Sequence, residues 1–119
     1  IQRGTVFAAV SPELVGIMVL LPTRPDTLEL VNIAVDENHQ GKGYAQELIA
    51  YALSYAKTQG YKTVDVGTGS TGLGQLYLYQ KCGFRMVGID KDFFVRHYEE
   101  PVIDEGQVLR DMVRLSQDV

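Results

Sequence analysis

The sequence is poor in cysteine, histidine and long apolar runs, and each scarcity excludes a class of protein. Its 119 residues contain one cysteine, Cys82, which rules out an internal disulfide framework and predicts a reducing, cytoplasmic setting. Two histidines beside one cysteine disfavour a structural zinc site, so we expect no metal. The longest apolar runs are strand-sized, far below the roughly 20 residues that span a bilayer, so we expect no membrane partner.

Positive charge is also scarce. The chain has 11 Lys and Arg against 15 Asp and Glu, a net charge of −4, which disfavours nucleic acid as a partner. A protein of this charge that binds a polyanion needs a local device, such as the free N–H groups at the start of a helix. The length leaves room for one domain. Because the chain begins with Ile1 rather than Met, we expect residues 1–119 to be a single domain that is incomplete at its N-terminus.

Apolar periodicity predicts strands first, then helices alternating with strands. The predicted strands are Thr5–Val10, Leu14–Leu20, Thr27–Val35, Tyr61–Val66, Phe84–Ile89, Phe93–Tyr98 and Val108–Leu115. The predicted connections are the turn Ser11–Glu13, the loop holding Pro22 and Pro25, the glycine-rich loop Gly67–Gly74 and the loop Pro101–Gly106. Helical spacing marks Tyr44–Gly60 and the shorter Gln75–Cys82. This order predicts a mixed sheet with helices packed on it.

A glycine pair lies between the third predicted strand and the long helix, in Gln40–Ala45 with the letters QGKGYA. Glycines let a backbone approach a ligand closely, and the first N–H groups of the helix then point toward that ligand. The helix dipole adds about 0.3–1 kcal/mol for each negative charge near this end. The segment is no P-loop, because Gly43 rather than Ser or Thr follows Lys42. Taken alone, it is best explained as a glycine-eased turn.

A second glycine motif competes with the first. Gly67–Gly72 fits the dinucleotide-binding pattern, and Asp90 follows at close to the roughly 20-residue spacing of a ribose-binding acid. Against a Rossmann-type NAD-binding fold, the next helix has only about two turns. Gly74 lengthens the loop further, and several predicted strands precede the motif, which usually opens its domain. The Rossmann interpretation therefore stays a minor alternative.

Together with a downstream segment, the first motif resembles the GNAT superfamily of N-acetyltransferases. Gln40–Ala45 is similar to that family's pyrophosphate loop, Gln/Arg-x-x-Gly-x-Gly/Ala, and Leu78–Phe84 is similar to its second signature. The similarity covers Val6–Tyr98, most of the chain. It implies a GNAT-type mixed α/β fold, with a central, mostly antiparallel sheet flanked by helices, and acetyl-CoA as cosubstrate.

The resemblance also assigns cofactor contacts. The residues concerned are Ile33, Ala34, Val35, Gln40, Gly41, Lys42, Gly43, Tyr44 and Ala45. The backbone of the first three would hold the pantetheine arm and polarise the thioester carbonyl. The N–H groups from Gly41 to Ala45 would cradle the pyrophosphate. Many family members carry Asn near the position of Gly72, where this chain offers Ser70 and Thr71, so no role is assigned there.

The family's chemistry needs a free amine, a polarised carbonyl and a proton for the departing thiolate. Glu29 is the candidate general base, since some members carry a catalytic glutamate in this strand; an exposed strand residue explains it equally well. Tyr79 is the candidate acid, because the second signature places its hydroxyl near the thioester sulfur. A core aromatic of this short helix would be Tyr77 rather than Tyr79.

The sequence predicts acetylation of a primary amine, on a small molecule or a peptide, without identifying it. A non-catalytic acyl-CoA-binding module is an alternative of another class. Cys82, just before Gly83, is better explained as a small buried hydrophobe than as a nucleophile. His39 and His97 are surface or capping residues in the simplest interpretation. Homodimers are common in the family, and Val108–Leu115 is a candidate interface strand.

Overall fold

The computed structural model describes residues 5–10 and 14–119, so the predicted turn Ser11–Glu13 lies outside the described residues. The chain divides into two compact units. The first holds the described residues up to Asp65, with Asp118 and Val119, and the second holds Val66–Gln117.

The first unit is an antiparallel sheet carrying one long helix. Its elements are β1 (Thr5–Val10), β2 (Leu14–Arg24), β3 (Thr27–Val35), a 3-10 turn (Glu37–His39), α1 (Tyr44–Thr58) and the start of β4 (Thr63–Gly69). The strand order here is β1-β2-β3-β4, and both the β1–β2 and β2–β3 pairs are antiparallel. The predicted third strand and long helix are therefore confirmed.

Helix α1 forms where it does because one of its faces is apolar and a glycine lies at each end, Gly43 before it and Gly60 after it. Leu48, Ile49, Ala52 and Ala56 are buried, at helical spacing, against the sheet. The helix approaches β2 closely, since a Cβ on Gly16 would lie 3.3 Å from the Leu48 side chain. This packing fixes the position of the N-terminus of α1.

The start of β3 is tied to β4 by both backbone and side chains. The N–H groups of Lys62 and Thr63 donate to the Asp26 carbonyl at 2.8 and 3.1 Å. The hydroxyls of Thr27 and Thr63 lie 2.7 Å apart, and Thr27 is buried, so each hydroxyl satisfies the other.

The second unit contains the end of β4 and all later elements. These are α2 (Leu73–Lys81), β5 (Arg85–Asp90), α3 (Phe93–Arg96), β6 (Val102–Asp104), β7 (Gln107–Leu109) and β8 (Met112–Asp118). The strand order is β4-β8-β5, with β5 antiparallel to β8, and β6 and β7 form a separate hairpin. The predicted GNAT-type fold class, a mostly antiparallel sheet flanked by helices, is confirmed. None of the described helices is long and apolar enough to cross a membrane.

The strand predicted over Phe93–Tyr98 is wrong, because this segment begins with the short helix α3. Its aromatic residues stack at the helical spacing of four: the rings of Phe93 and His97 lie 4.5 Å apart, and those of Phe94 and Tyr98 lie 5.8 Å apart. An apolar aromatic run satisfies both periods, so the sequence pattern alone did not separate strand from helix.

The single last strand predicted over Val108–Leu115 is also wrong, because this segment is divided between two separate strands, β7 and β8. The predicted loop Pro101–Gly106 instead supplies β6 and a tight turn in which Glu105 and Gly106 both have positive φ, 51° and 75°. Two successive positive φ angles are typical of hairpin turns. Since β8 lies between β4 and β5, it is an interior strand of the sheet.

The predicted loop at Pro22 is part of β2, which runs on to Arg24. Among the described residues, β1 pairs with β2 no further than Leu20, so Pro22 needs no N–H for a β1 partner. The loop is reduced to a turn at Pro25 and Asp26.

Gly67 and Gly69, which match the dinucleotide-binding pattern, lie where a strand packs closely against other side chains. Gly67 and Gly69 lie in β4, not in a phosphate-binding turn. A Cβ on Gly67 would lie 2.7 Å from the Met112 sulfur, and one on Gly69 would lie 2.8 Å from a Leu109 methyl. The Rossmann alternative is therefore wrong, because these positions need glycine for contacts within the second unit.

We expect Gly69→Ala to lower the free energy of unfolding by about 1–3 kcal/mol, because the added methyl overpacks against Leu109. Gly88→Ala is the control, since nothing lies within 4 Å of a Cβ there. Urea denaturation of both variants measures the difference. Equal stability of the two would contradict the packing explanation.

Candidate active site

The end of β3 is redirected by a bulge. Val19 pairs with Asn32 but Leu20 pairs with Leu30, so Val31 is an extra residue in β3. Before the bulge Leu28 and Leu30 are buried. After it, every residue to the end of the strand is exposed or half-buried. The backbone of Ile33–Val35, which the resemblance assigns to the pantetheine arm, therefore lies where a ligand can reach it.

Asp36 fixes the chain directly after β3. Its N–H donates to the Val15 carbonyl at 2.7 Å, and its Oδ2 accepts from the N–H of Asn38 at 3.2 Å. The His39 ring nitrogen lies 2.9 Å from the same oxygen, and this hydrogen bond holds the pKa of Asp36 below its ordinary value. The capping residue is thus Asp36, and His39 orients its carboxylate.

Gln40 closes the loop onto the strand. Its side-chain Nε2 donates to the Val35 carbonyl at 3.2 Å, which connects the first motif residue with the last residue of β3. Gly41 and Gly43 follow with φ of 78° and 85°, in the left-handed region. A Cβ on either would have nothing within 4 Å, so these positions require glycine for backbone conformation and not for space inside the protein.

The loop presents a row of free backbone donors. The first hydrogen bond of α1 runs from Glu47 N–H to the Gly43 carbonyl at 3.0 Å, which leaves the earlier N–H groups of the helix without partners in it. The N–H groups of Gly41–Ala45 donate to none of residues 5–10 and 14–119 outside the helix. Lys42 lies exposed between the two glycines. Helix dipole, free N–H groups and one cation together suit a doubly charged anion.

Glu29 lies on β3 opposite Leu21, between buried Leu28 and Leu30. Alternation along the strand turns it to the other face of the sheet, where it is half-buried. Its carboxylate has no hydrogen bond or ion pair with the residues that the structure describes. It is therefore available to a ligand at that face.

Tyr79 belongs to the second unit and is 4 % exposed. Its ring packs edge-on against Phe84 with centroids 5.9 Å apart. Burial, and secondarily the neighbouring Cys82, raises the pKa of the Tyr79 phenol. The expectation that Tyr77 would be the core aromatic is wrong, since Tyr77 is 68 % exposed. The helix starts two residues before its predicted start, and Tyr79 occupies its buried face.

The end of α2 is held by Gln117, a residue that sequence reasoning missed. Gln117 Nε2 donates to the Cys82 carbonyl at 2.9 Å, beside Gly83 with φ of 99°. The Tyr79 carbonyl in turn accepts from the N–H groups of Cys82 and Phe84 at 3.1 and 3.0 Å. Burial raises the pKa of the half-buried Cys82 thiol, which suits an inert packing residue better than a nucleophile.

The predicted site residues therefore form two groups. Ile33–Val35, Gln40–Ala45 and Glu29 lie in consecutive parts of the first unit, whereas Tyr79 lies in the second. The Asp36 cap was also missed, although an Asp directly before a short helical turn is a recognisable signal. No local signal marks Gln117, because it acts on a carbonyl 35 residues away.

Comparisons with known proteins show the family to which the chain belongs. A family model described as "Acetyltransferase (GNAT) family" matches residues 2–84. A curated Bacillus subtilis (strain 168) protein named "Uncharacterized N-acetyltransferase YvbK" is 49 % identical over 120 residues, covering 100 % of this chain and 77 % of that protein.

Two solved structures are similar over 98 % of this chain. A Bacillus subtilis acetyltransferase in complex with CoA has a TM-score of 0.94 and 50 % identity, with 78 % of its chain covered. A GNAT family acetyltransferase from Elizabethkingia anophelis with acetyl-CoA bound has a TM-score of 0.93 and 39 % identity, with 76 % covered.

Burial of Tyr79 predicts a loss of stability at alkaline pH. Because the folded-state pKa of Tyr79 is raised, its neutral phenol contributes stability that is full below the unfolded-state pKa of about 10 and is lost as pH rises through the folded pKa. We expect Tyr79→Phe to flatten the fall of unfolding free energy above about pH 10, measured by urea denaturation.

Tyr77→Phe is the control, because it removes an exposed phenol from the same helix. Tyr77→Phe should leave the fall of the unfolding free energy at alkaline pH unchanged. An identical fall in both variants would show that burial of Tyr79 does not favour its neutral form.

Proposed function

We propose that this chain transfers acetyl from acetyl-CoA directly to a primary amine. The premise is that the chain belongs to the GNAT acetyltransferase family. Acetyl-CoA is the cosubstrate, in agreement with the CoA and acetyl-CoA complexes of its structural relatives. The observation that carries the proposal is the row of free N–H groups on Gly41–Ala45 at the start of α1.

The proposed cosubstrate site uses the first unit. The pyrophosphate would accept from the N–H groups of Gly41–Ala45, with Lys42 neutralising part of its charge. Gln40 would position this loop through its bond to the Val35 carbonyl and need not touch the ligand. The pantetheine amides would hydrogen-bond to the backbone of Ile33–Val35, as an added strand does.

Glu29 is the proposed base for the acceptor. An alkyl amine with a pKa near 10.4 is protonated at pH 7, and freeing its lone pair costs about 4–5 kcal/mol. A half-buried carboxylate with no partner among the described residues can take this proton directly or through a water molecule. The neutral nitrogen then attacks the thioester carbon, and a backbone N–H of Ile33–Val35 stabilises the carbonyl oxygen as it becomes negative.

Tyr79 is the proposed acid. Collapse of the tetrahedral intermediate breaks the carbon–sulfur bond, the phenol proton passes to the departing thiolate, and the acetylated nitrogen gives up its remaining extra proton to the phenolate or to water. With ordinary pKa values near 10 and 8.5 this transfer is uphill by about 2 kcal/mol. Burial raises the pKa of Tyr79, so the phenol is fully protonated before the reaction. A poorly solvated thiolate is more basic by the same effect, which keeps the transfer accessible.

A small-molecule or peptide acceptor, a cytoplasmic setting and a homodimer complete the proposal. The setting is supported by the single free cysteine, Cys82. Self-association is supported by β5, whose apolar residues Met86, Val87 and Ile89 are more than half exposed at an edge of the strand order.

We expect Gly43→Ala to abolish micromolar acetyl-CoA binding, measured by calorimetry, because a methyl at φ of 85° distorts the loop and occupies the ligand side. Gly60→Ala is a matched control: its φ is 88° and its Cβ position is equally open, so its backbone strain is the same. Both variants should lose about 1–2 kcal/mol of stability, but only Gly43→Ala should lose binding. Parallel loss of binding in both variants would contradict the pyrophosphate site.

We expect Tyr79→Phe to lower kcat by about 10²- to 10⁴-fold and to leave acetyl-CoA affinity unchanged, because only proton transfer is removed. The measurement is CoA release with a panel of primary amines, beside calorimetry. Tyr77→Phe should keep full activity. Unchanged turnover in Tyr79→Phe would assign the proton to another donor.

A further inference from the structure

The second unit contains a cavity of about 920 Å³ that the proposed cosubstrate site does not use. One wall is the end of β4 with the start of α2, and the other is the β6–β7 hairpin. Its principal lining residues are Thr68, Gly69, Thr71, Ile103, Asp104 and Glu105. The volume is that of small-molecule sites, about 300–1,000 Å³.

The two walls are joined, so the cavity is a fixed feature of this unit. Thr71 Oγ1 donates a hydrogen bond to Asp104 Oδ2, from one wall to the other. Below it, the Ser70 N–H donates to the Asp111 carbonyl at 2.9 Å. Gly72 keeps the turn between them tight, since a Cβ there would lie 3.1 Å from Thr68 Oγ1 and 3.2 Å from the Gly69 carbonyl.

The charged side chains described around this cavity are all negative. Its charged lining side chains are Asp104 and Glu105, with no Lys or Arg among the lining residues described. The Asp104 carboxylate uses Oδ2 for Thr71, and Oδ1 accepts from none of the residues described in the structure. Glu105 is exposed at the tip of the hairpin. Both carboxylates can therefore turn an oxygen toward a ligand.

A second, smaller cavity of about 190 Å³ lies against the same hairpin. Val102 and Leu109 line both cavities, and the smaller one adds Tyr98, Glu99 and Glu100. An aromatic ring beside carboxylates attracts ammonium groups. Four carboxylates and the Arg110 guanidinium line the two cavities together, so their combined side-chain charge is negative.

We propose that the larger cavity binds the acceptor and selects an aliphatic amine that carries a second positive charge. The inference rests on the proposed acetyl transfer and names its substrate class. The reacting nitrogen must be neutral to attack, so the carboxylates serve the remote ammonium group. In this account Asp104 and Glu105 are specificity-determining residues, and Thr71 positions Asp104.

Calorimetry with three amines of similar length tests the proposal: hexamethylenediamine, hexylamine and ε-aminocaproate differ in the charge of the remote end. Each is titrated into the protein alone and into protein saturated with CoA. We expect the diamine to bind about tenfold more tightly than hexylamine, and ε-aminocaproate to bind most weakly, since exposed ion pairs each contribute up to about fivefold. The preference should shrink at high salt.

In the double variant Asp104→Asn with Glu105→Gln, the affinity for the diamine should come within about threefold of that for hexylamine. The amides keep the shape of the side chains and the hydrogen bond from Thr71 but remove the charge. Asp118→Asn, an exposed carboxylate outside the cavity, should keep the preference. No diamine binding, equal affinity of the three amines, or an undiminished preference in the double variant would each overturn the proposal. Acetyl-CoA titrations of the same samples report separately on the acetyltransferase function.

Discussion

The proposed cosubstrate site is built around the backbone N–H groups at the start of α1, which have no partner outside the helix among the described residues. A helix start leaves donors that need an acceptor, and here Gly41 and Gly43 hold those donors open instead of capping them with a side chain. The proposed site for a polyanion therefore needs no basic patch. The chemistry proposed for the acetyl group begins with this anchoring of the cosubstrate.

The surrounding sequence keeps that helix start in place. The buried face of α1 fixes the helix on the sheet, and Asp36 and Gln40 bind the loop back to β2 and β3 through the Val15 and Val35 carbonyls. The bulge at Val31 brings the following strand residues to the surface just before the loop. Strand, loop and helix thus form one continuous segment, to which the proposed cosubstrate site belongs.

Local patterns predicted the parts that are locally determined. Strand β3 and helix α1 follow from periodicity and glycine positions, and the loop motif follows from residue types. Long-range contacts determine what was missed. Gly67 and Gly69 match a cofactor-binding pattern in the sequence, but in the structure they pack against Met112 and Leu109. Aromatic spacing in α3 satisfies two periods, and the break between β7 and β8 depends on pairing with β6. The burial of Tyr79 rather than Tyr77 depends on where α2 begins.

Amide chemical shifts from nitrogen–proton correlation spectra show whether the N–H groups of Gly41–Ala45 bind the pyrophosphate. The protein is titrated with CoA and, separately, with pantetheine, which lacks the pyrophosphate. We expect large shifts of the Gly41–Ala45 amides with CoA and small ones with pantetheine, because only the pyrophosphate reaches these donors. Loop amides that stay unmoved by CoA, with shifts gathered at Gly67–Gly72 instead, would contradict it.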